Sequence, residues 1–233
     1  MLFRSLIGYP DAAFRNNSDK SSQRGQTICL AEQRTRDKIN TRGSLIDYES
    51  QKIKRTVLST TVSELYAFMK CFGTCQFLRG LWMDISATAA EIHMRTDANN
   101  LVTTASTTHL PEQRETIHMI NQLRHEACSG AIDDLAHVVS DDCMADCLTK
   151  ASAKPNALIK TVETGNILNV DKHPPFRELM KSKHKAYVLK NEDNDLLTAW
   201  IVRNIKNVRD VLAFLSIPVM QQVSFYLAAS NVC

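Results

Sequence analysis

Four acidic residues, Asp11, Glu64, Asp97 and Asp146, stand where carboxylates could act together. Asp11 and Asp97 end stretches that read as strands. Glu64 lies in the first turn or two of a long helix, and Asp146 lies in a helix after the last strand. In an α/β sheet, sites form where strand ends meet helix starts, so these four can converge. Converging carboxylates repel one another unless a hard cation neutralises them. Mg2+ meets that need, with Mn2+ as a substitute, because it takes oxygen ligands and keeps waters or substrate phosphates. Two such ions about 4 Å apart can activate a water and stabilise the leaving oxygen of a phosphodiester. Spacing alone does not single out this quartet from 25 acids. Each also has a plainer explanation: an Asx-turn at Asp11, a macrodipole-favoured acid at Glu64, an exposed helical residue at Asp146.

The chain supplies elements able to gather them. Residues 1–9 are mostly apolar and run into Tyr9-Pro10-Asp11, a strand delivering an acid at its end. A turn-rich stretch from Arg15 to Gly25 separates it from a second strand, Gln26–Glu32, which makes a hairpin; Gly43–Lys54 reads as a third strand. From Ser59 the period changes. Leu65, Phe68, Met69, Phe72, Leu78, Leu81 and Trp82 recur at helical intervals through Asp84. Glu91–Asp97 is a fourth strand, Asn99–Ser106 a short helix, and Pro111 opens a helix running to Cys128. Gly130–Val139 contains a fifth strand, and Ser140-Asp141-Asp142 cap a helix that includes Met144–Thr149. Three opening strands predict an antiparallel meander, and the later alternation needs parallel crossovers. The expected fold is therefore α/β, a mixed five-stranded sheet flanked by helices.

Composition narrows the function classes. Hydrophobic residues at 44% and charged residues at 23% are globular values that exclude collagen-like and coiled-coil chains. With 28 Lys+Arg against 25 Asp+Glu, the net charge of +3 excludes a histone-like surface, so nucleic-acid contacts must be a local patch. Lys52, Lys54 and Arg55 at the end of the third strand, with Arg114 and Arg124 on the later helix, are candidates for phosphate contact; a solvated rim explains them equally well. Seven scattered cysteines and no secretory signal predict free thiols in a reducing, intracellular compartment, a cytoplasmic particle or the nucleus. Cys71 with Cys75, and Cys143 with Cys147, are four apart and could share a helix face, but buried core thiols are favoured over a zinc site. His137 is expected to make an ordinary strand hydrogen bond. The chain has no Gly-rich phosphate loop and no Gly-x-Ser-x-Gly elbow, so nucleotide hydrolysis and serine hydrolase chemistry lack support.

Local wording adds to the spacing. Gly8-Tyr9-Pro10-Asp11-Ala12-Ala13-Phe14, Ser59 through Ala67 (STTVSELYA), Arg95-Thr96-Asp97-Ala98-Asn99-Asn100 and Met144 through Lys150 (MADCLTK) resemble, in order, the ribonuclease H domain of copia-type (Ty1/copia) retrotransposon polyproteins. His109–His118 (HLPEQRETIH) is similar to that family's segment between the third acid and the fifth strand, whereas Ala98 stands where the family usually has Asn. The resemblance covers residues 2–150. It implies a ribonuclease H-like fold and a metal-dependent endonuclease that cuts the RNA of RNA–DNA hybrids during reverse transcription. By the same resemblance Asp11, Glu64, Asp97 and Asp146 match the metal-binding catalytic acids, and a reverse transcriptase encoded upstream is the implied partner. A hybrid is distinguished by its minor-groove width and 2′-hydroxyls, for which Ser22, Gln23 and Asn99 are candidate contacts. Asn16 and Asn17 could also serve, although turn propensity favours a local role for them. The alternative is a catalytically inactive nucleic-acid-binding or interaction module left from a transposon polyprotein.

Beyond the resemblance the composition shifts. Residues 1–150 are expected to form the ribonuclease H-like domain, and 151–233 a linker and helical tail. Lys154-Pro155 and His173-Pro174-Pro175 are breakers, and Lys181–Lys190 is Lys-rich. Leu196–Ile205 and Val211–Ala229 read as apolar helical segments. The second is interrupted by Pro218, Gln221 and Gln222, so packing or extension is expected rather than membrane insertion.

Overall fold

A computed structural model describes residues 3–32, 40–106 and 114–168. The chain opens with β1 (Phe3–Ala13), β2 (Gln23–Glu32) and β3 (Asn40–Lys52), followed by α1 (Thr60–Ser86), β4 (Glu91–Thr96), α2 (Asn99–Ser106), α3 (Arg114–Ser129) and β5 (Asp134–His137). Two 3-10 turns, Ser140–Asp142 and Asp146–Leu148, lead to α4 (Asn156–Thr164) and β6 (Asn166–Leu168).

The sheet order is β5-β4-β1-β2-β3-β6. β1, β2 and β3 form the expected antiparallel meander, with Asp11 opposite Gly25 and Gly25 opposite Ser50. β4 pairs parallel with β1, and β5 parallel with β4. The five expected strands are present, and the mixed sheet is flanked by helices. β6 adds a sixth, antiparallel to β3 through Thr41 and Ile167. It lies, with α4, in the described part of the region read from sequence as linker and tail. The segments Lys181–Lys190, Leu196–Ile205 and Val211–Ala229 lie outside the described residues, as do His109 and the helix start at Pro111. Among the described residues no helix is long and apolar enough to cross a membrane.

Alternation along the strands sends neighbouring side chains to opposite faces. On one face Leu6, Ile28, Ile92 and Met94 pack under Leu65, Phe68, Cys71, Phe72 and Cys75 of α1, with Leu101 of α2 and Ile120 and Leu123 of α3. On the other, Ile7, Tyr9, Cys29 and Ala31 pack against Val138, Cys143, Met144 and Ala145, with Ala157 and Leu158 of α4. α1 begins where Ser59 Oγ accepts the Val62 N–H at 3.3 Å, an N-cap that satisfies one of the free donors of the first turn. The helix lies close on β1 at Gly8. A Cβ there would meet Cys71 Sγ at 2.9 Å, Cys75 Sγ at 3.0 Å and Met94 Sδ at 3.2 Å.

The helix expected over Met144–Thr149 is replaced by the turn Asp146–Leu148. Tertiary bonds claim the carbonyls that a continuing helix would need. Ser50 Oγ donates to the Leu148 carbonyl, and Asn16 Nδ2 donates to the Thr149 carbonyl at 3.2 Å. The Asp146 carbonyl accepts the Thr149 N–H, the Thr149 hydroxyl and the Lys150 N–H, each at 3.1 Å.

Candidate metal centre

Asp11 lies two residues from the end of β1 and is fully buried. Asp97 follows β4 directly, where Ser140 Oγ donates to its Oδ2 at 3.0 Å and His137 Nε2 donates to its backbone carbonyl at 3.1 Å. Asp146 opens the second 3-10 turn. One carboxylate oxygen from each of Asp11, Asp97 and Asp146 lies within 4.8 Å of the others. Glu64, on α1, is 7% exposed, accepts a hydrogen bond from the Ala12 backbone and feels the charges of Asp11 and Asp97. Three of the sequence-selected acids, Asp11, Asp97 and Asp146, therefore meet at the end of the sheet where β1 and β4 finish. Glu64 lies outside that group of facing oxygens but close enough to feel the charges of two of them.

Lys150 and Thr149 complete the cluster. Thr149 Oγ1 donates to Asp11 Oδ2. The Lys150 ammonium pairs with Asp146 Oδ1 and stands 3.5 Å from Asp11 Oδ1. Burial pushes the Asp11 carboxyl up to about 6, against the Thr149 hydrogen bond and the Lys150 charge, with Asp97 and Asp146 adding to the rise. Burial pushes Glu64 further, to about 9, with the charges of Asp11 and Asp97 adding to it. For Lys150, burial disfavours the ammonium, but the bond to Asp146 and the charges of Asp11, Asp146 and Asp97 outweigh it and hold the proton more tightly than usual.

This donor set fits a hard divalent cation. All its ligand atoms are carboxylate oxygens, the chemistry Mg2+ and Mn2+ prefer. Two of those atoms, Asp11 Oδ1 and Glu64 Oε2, are shielded from solvent and accept no hydrogen bond. Buried polar atoms are normally satisfied, so an unbonded Asp11 oxygen within the cluster fits a ligand's place.

The chain is similar in its path to several solved structures. The LC11 RNase H1, crystallised with an RNA/DNA hybrid, is 18% identical with a TM-score of 0.45, covering 66% of this chain and 99% of that one. RNase H1 from the halophilic archaeon Halobacterium salinarum is 15% identical with a TM-score of 0.41, covering 67% and 98%. The foamy viral protease-reverse transcriptase, also with an RNA/DNA hybrid, is 9% identical with a TM-score of 0.46, covering 64% of this chain and 20% of that one. No family model matches the chain, and no curated protein matches it. The mixed sheet flanked by helices is the fold class expected from the sequence.

The residues selected for nucleic-acid contact are spread around this centre. Asn99 is exposed at the start of α2, and its N–H donates to the Asp97 carbonyl at 3.0 Å. Lys54 and Arg55 are exposed just beyond β3; the Arg55 guanidinium lies 6.0 Å from the centre of the Tyr66 ring. Lys52 is paired with Asp19, both half exposed. Ser22 is 3% exposed, and its hydroxyl accepts the Arg15 N–H at 3.0 Å, so it closes the hairpin turn. Gln23 is bonded to Ser50 at 2.9 Å and to Asn17 at 3.3 Å. Arg114 opens α3, and its side chain lies outside the described residues. Arg124 donates to the Thr104 carbonyl at 2.9 Å, tying α3 to α2.

Among the described residues the cysteines are free. Cys71 and Cys75 are buried on α1 as core thiols, while Cys143 follows the first 3-10 turn and Cys147 lies within the second, so they share no α-helix. Sequence reasoning passed over Thr149, Lys150 and Ser140. A Lys four residues after Asp146 was the available signal for one of them, since that spacing brings opposite charges together on a helical turn.

Proposed function

We propose that the chain is a metal-dependent endonuclease that hydrolyses the RNA strand of RNA–DNA hybrids, of the ribonuclease H type found in copia-type retrotransposon polyproteins. The observation that carries this reading is the meeting of Asp11, Asp97 and Asp146 within 4.8 Å, with Glu64 beside them, from four separate parts of the chain. The copia lineage is supported by the motifs around those same acids.

Asp11, Glu64, Asp97 and Asp146 would hold two Mg2+ ions. When bound, such ions lower the barrier by activating a water and stabilising the oxygen that leaves the phosphorus. The residues of the chain hold the acids in register. Thr149 fixes one Asp11 oxygen, leaving the other for a ligand, and Ser140 fixes one Asp97 oxygen in the same way. Asn99, Lys54 and Arg55 are the exposed polar and basic groups available to a nucleic-acid backbone. The nuclease domain is proposed to comprise residues 1–150 together with α4 and β6, which pack on its core and extend its sheet, with the residues beyond them a linker and tail.

The test is cleavage of a labelled RNA–DNA hybrid with Mg2+ by the wild type and by Asp97→Asn. Cleavage by the wild type that falls at least a hundredfold in the variant is the expected result. Equal cleavage by the two would remove the site assignment, and hybrid binding without cleavage would favour the inactive interaction module.

A further inference from the structure

The acid cluster already holds a cation of its own. The Lys150 ammonium pairs with Asp146 Oδ1 and stands 3.5 Å from Asp11 Oδ1, two of the residues whose oxygens face one another in the cluster. We propose that Lys150 is a built-in counter-ion that competes with the divalent metal for Asp11 and Asp146, so that metal loading is an exchange of ammonium for metal. The inference rests on the metal-centre reading and adds how that centre is regulated.

Three features support exchange rather than a fixed pair. First, an oxygen that binds Mg2+ at about 2 Å cannot keep an ammonium at hydrogen-bond distance without placing two cations side by side. Second, the Lys150 side chain is 36% exposed while Asp11 is 0% exposed, so the ammonium has a route out that the carboxylate lacks. Lysine suits this, being a point charge on a flexible four-carbon stem. Third, the backbone does not need the ammonium to hold its place. The Lys150 N–H is bonded to the Asp146 carbonyl at 3.1 Å, and the Thr149 side chain anchors the segment to Asp11. Glu64 Oε2, buried without a hydrogen-bond partner, remains as an acceptor that Lys150 does not satisfy.

A counter-ion and a structural clamp make opposite predictions. If Lys150 competes, its removal leaves a more negative pocket that takes metal more tightly. If it only clamps the cluster, its removal loosens the carboxylates and weakens binding. Mn2+ binding to the full chain, read by the electron paramagnetic resonance signal of the free ion, separates the two without any cleavage assay. Lys150→Met and Lys150→Gln remove the charge, and Lys150→Arg keeps it. The expected result is a Mn2+ dissociation constant several-fold lower in the two neutral variants and unchanged or higher in Lys150→Arg. The metal-free neutral variants should also melt at lower temperature than the wild type and recover with Mn2+. Equal or weaker Mn2+ binding by natively folded neutral variants would overturn the counter-ion role while leaving the metal centre in place. Absence of Mn2+ binding in the wild type and every variant would overturn both.

Discussion

The Thr149 hydroxyl donates to Asp11 Oδ2 across 138 positions of sequence, and its methyl-bearing side chain is also what a side chain at Gly25 would strike. One residue thus ties the end of β1 to the turn that carries Asp146. Losing a buried hydrogen bond to a charged group costs about 1.5–3 kcal/mol. We predict that Thr149→Val destabilises the metal-free protein by about that amount in urea unfolding, with most of it restored in Thr149→Ser. Equal midpoints for Val and wild type would show that the bond contributes nothing.

Gly25 sits on β2 opposite Asp11, beneath the same turn. A Cβ there would lie 2.8 Å from Thr149 Cγ2, 3.0 Å from Leu148 Cβ and 3.1 Å from the Ala145 carbonyl oxygen. Overpacking of this kind costs about 1–3 kcal/mol. Gly25→Ala should lose that stability and also weaken Mn2+ binding, because the segment that must shift holds Asp146. A variant with native Mn2+ affinity would show that the turn moves without disturbing the acids.

The raised carboxyls set a pH dependence. Asp11 rises from 3.8 to about 6 and Glu64 from 4.5 to about 9, so the folded state binds more protons than the unfolded state between those limits. Stability from these groups is complete below their unfolded values and is lost as pH rises through the folded ones. Without metal, the melting temperature should therefore fall as pH climbs from about 5 to about 9. Mg2+ replaces the protons, so its stabilising shift should grow over the same range. A metal-free melting temperature that rises across this range would contradict the assignment.

Arg95 is 2% exposed and donates to Asp134 Oδ2 at 2.7 Å, joining β4 to β5 on the strand that delivers Asp97. Breaking a buried pair by removing one partner costs about 3–5 kcal/mol. Asp134→Ala should cost that much in chemical unfolding, and the double variant Asp134→Leu with Arg95→Met should recover a large part of it. A double variant as unstable as the single one would mean that Arg95 is not what Asp134 stabilises.

The strand and helix order up to β5 was legible because period-two and helical patterns are separated there by clear turn chemistry. Asn99–Ser106 is a helix with the bounds read from sequence, and Asp11, Glu64 and Asp97 were placed on the right elements. The turn around Asp146 was not legible as a turn. Ser50 and Asn16, distant in sequence, take the Leu148 and Thr149 carbonyls, so no helix continues past the turn. Asn16, expected from sequence to serve a turn or a groove contact, instead holds the Thr149 carbonyl through its amide. α4 was hidden by Pro155, read as a breaker, although proline is tolerated where a helix begins, and here it directly precedes Asn156. Lys150 was missed because its meaning depends on Asp11, which no local pattern connects to it.

Gly8 bears on all of this from a place with no charge at all. The seam between β1 and α1 there is lined by two thiols and a thioether, on the same helix that carries Glu64 two turns before Cys71. A bulkier residue in that oily contact would lift the helix as a lever and draw the fourth carboxylate away. On the proposed nuclease reading, such a variant would lose hybrid cleavage although every acid, lysine and hydroxyl of the cluster stayed as encoded.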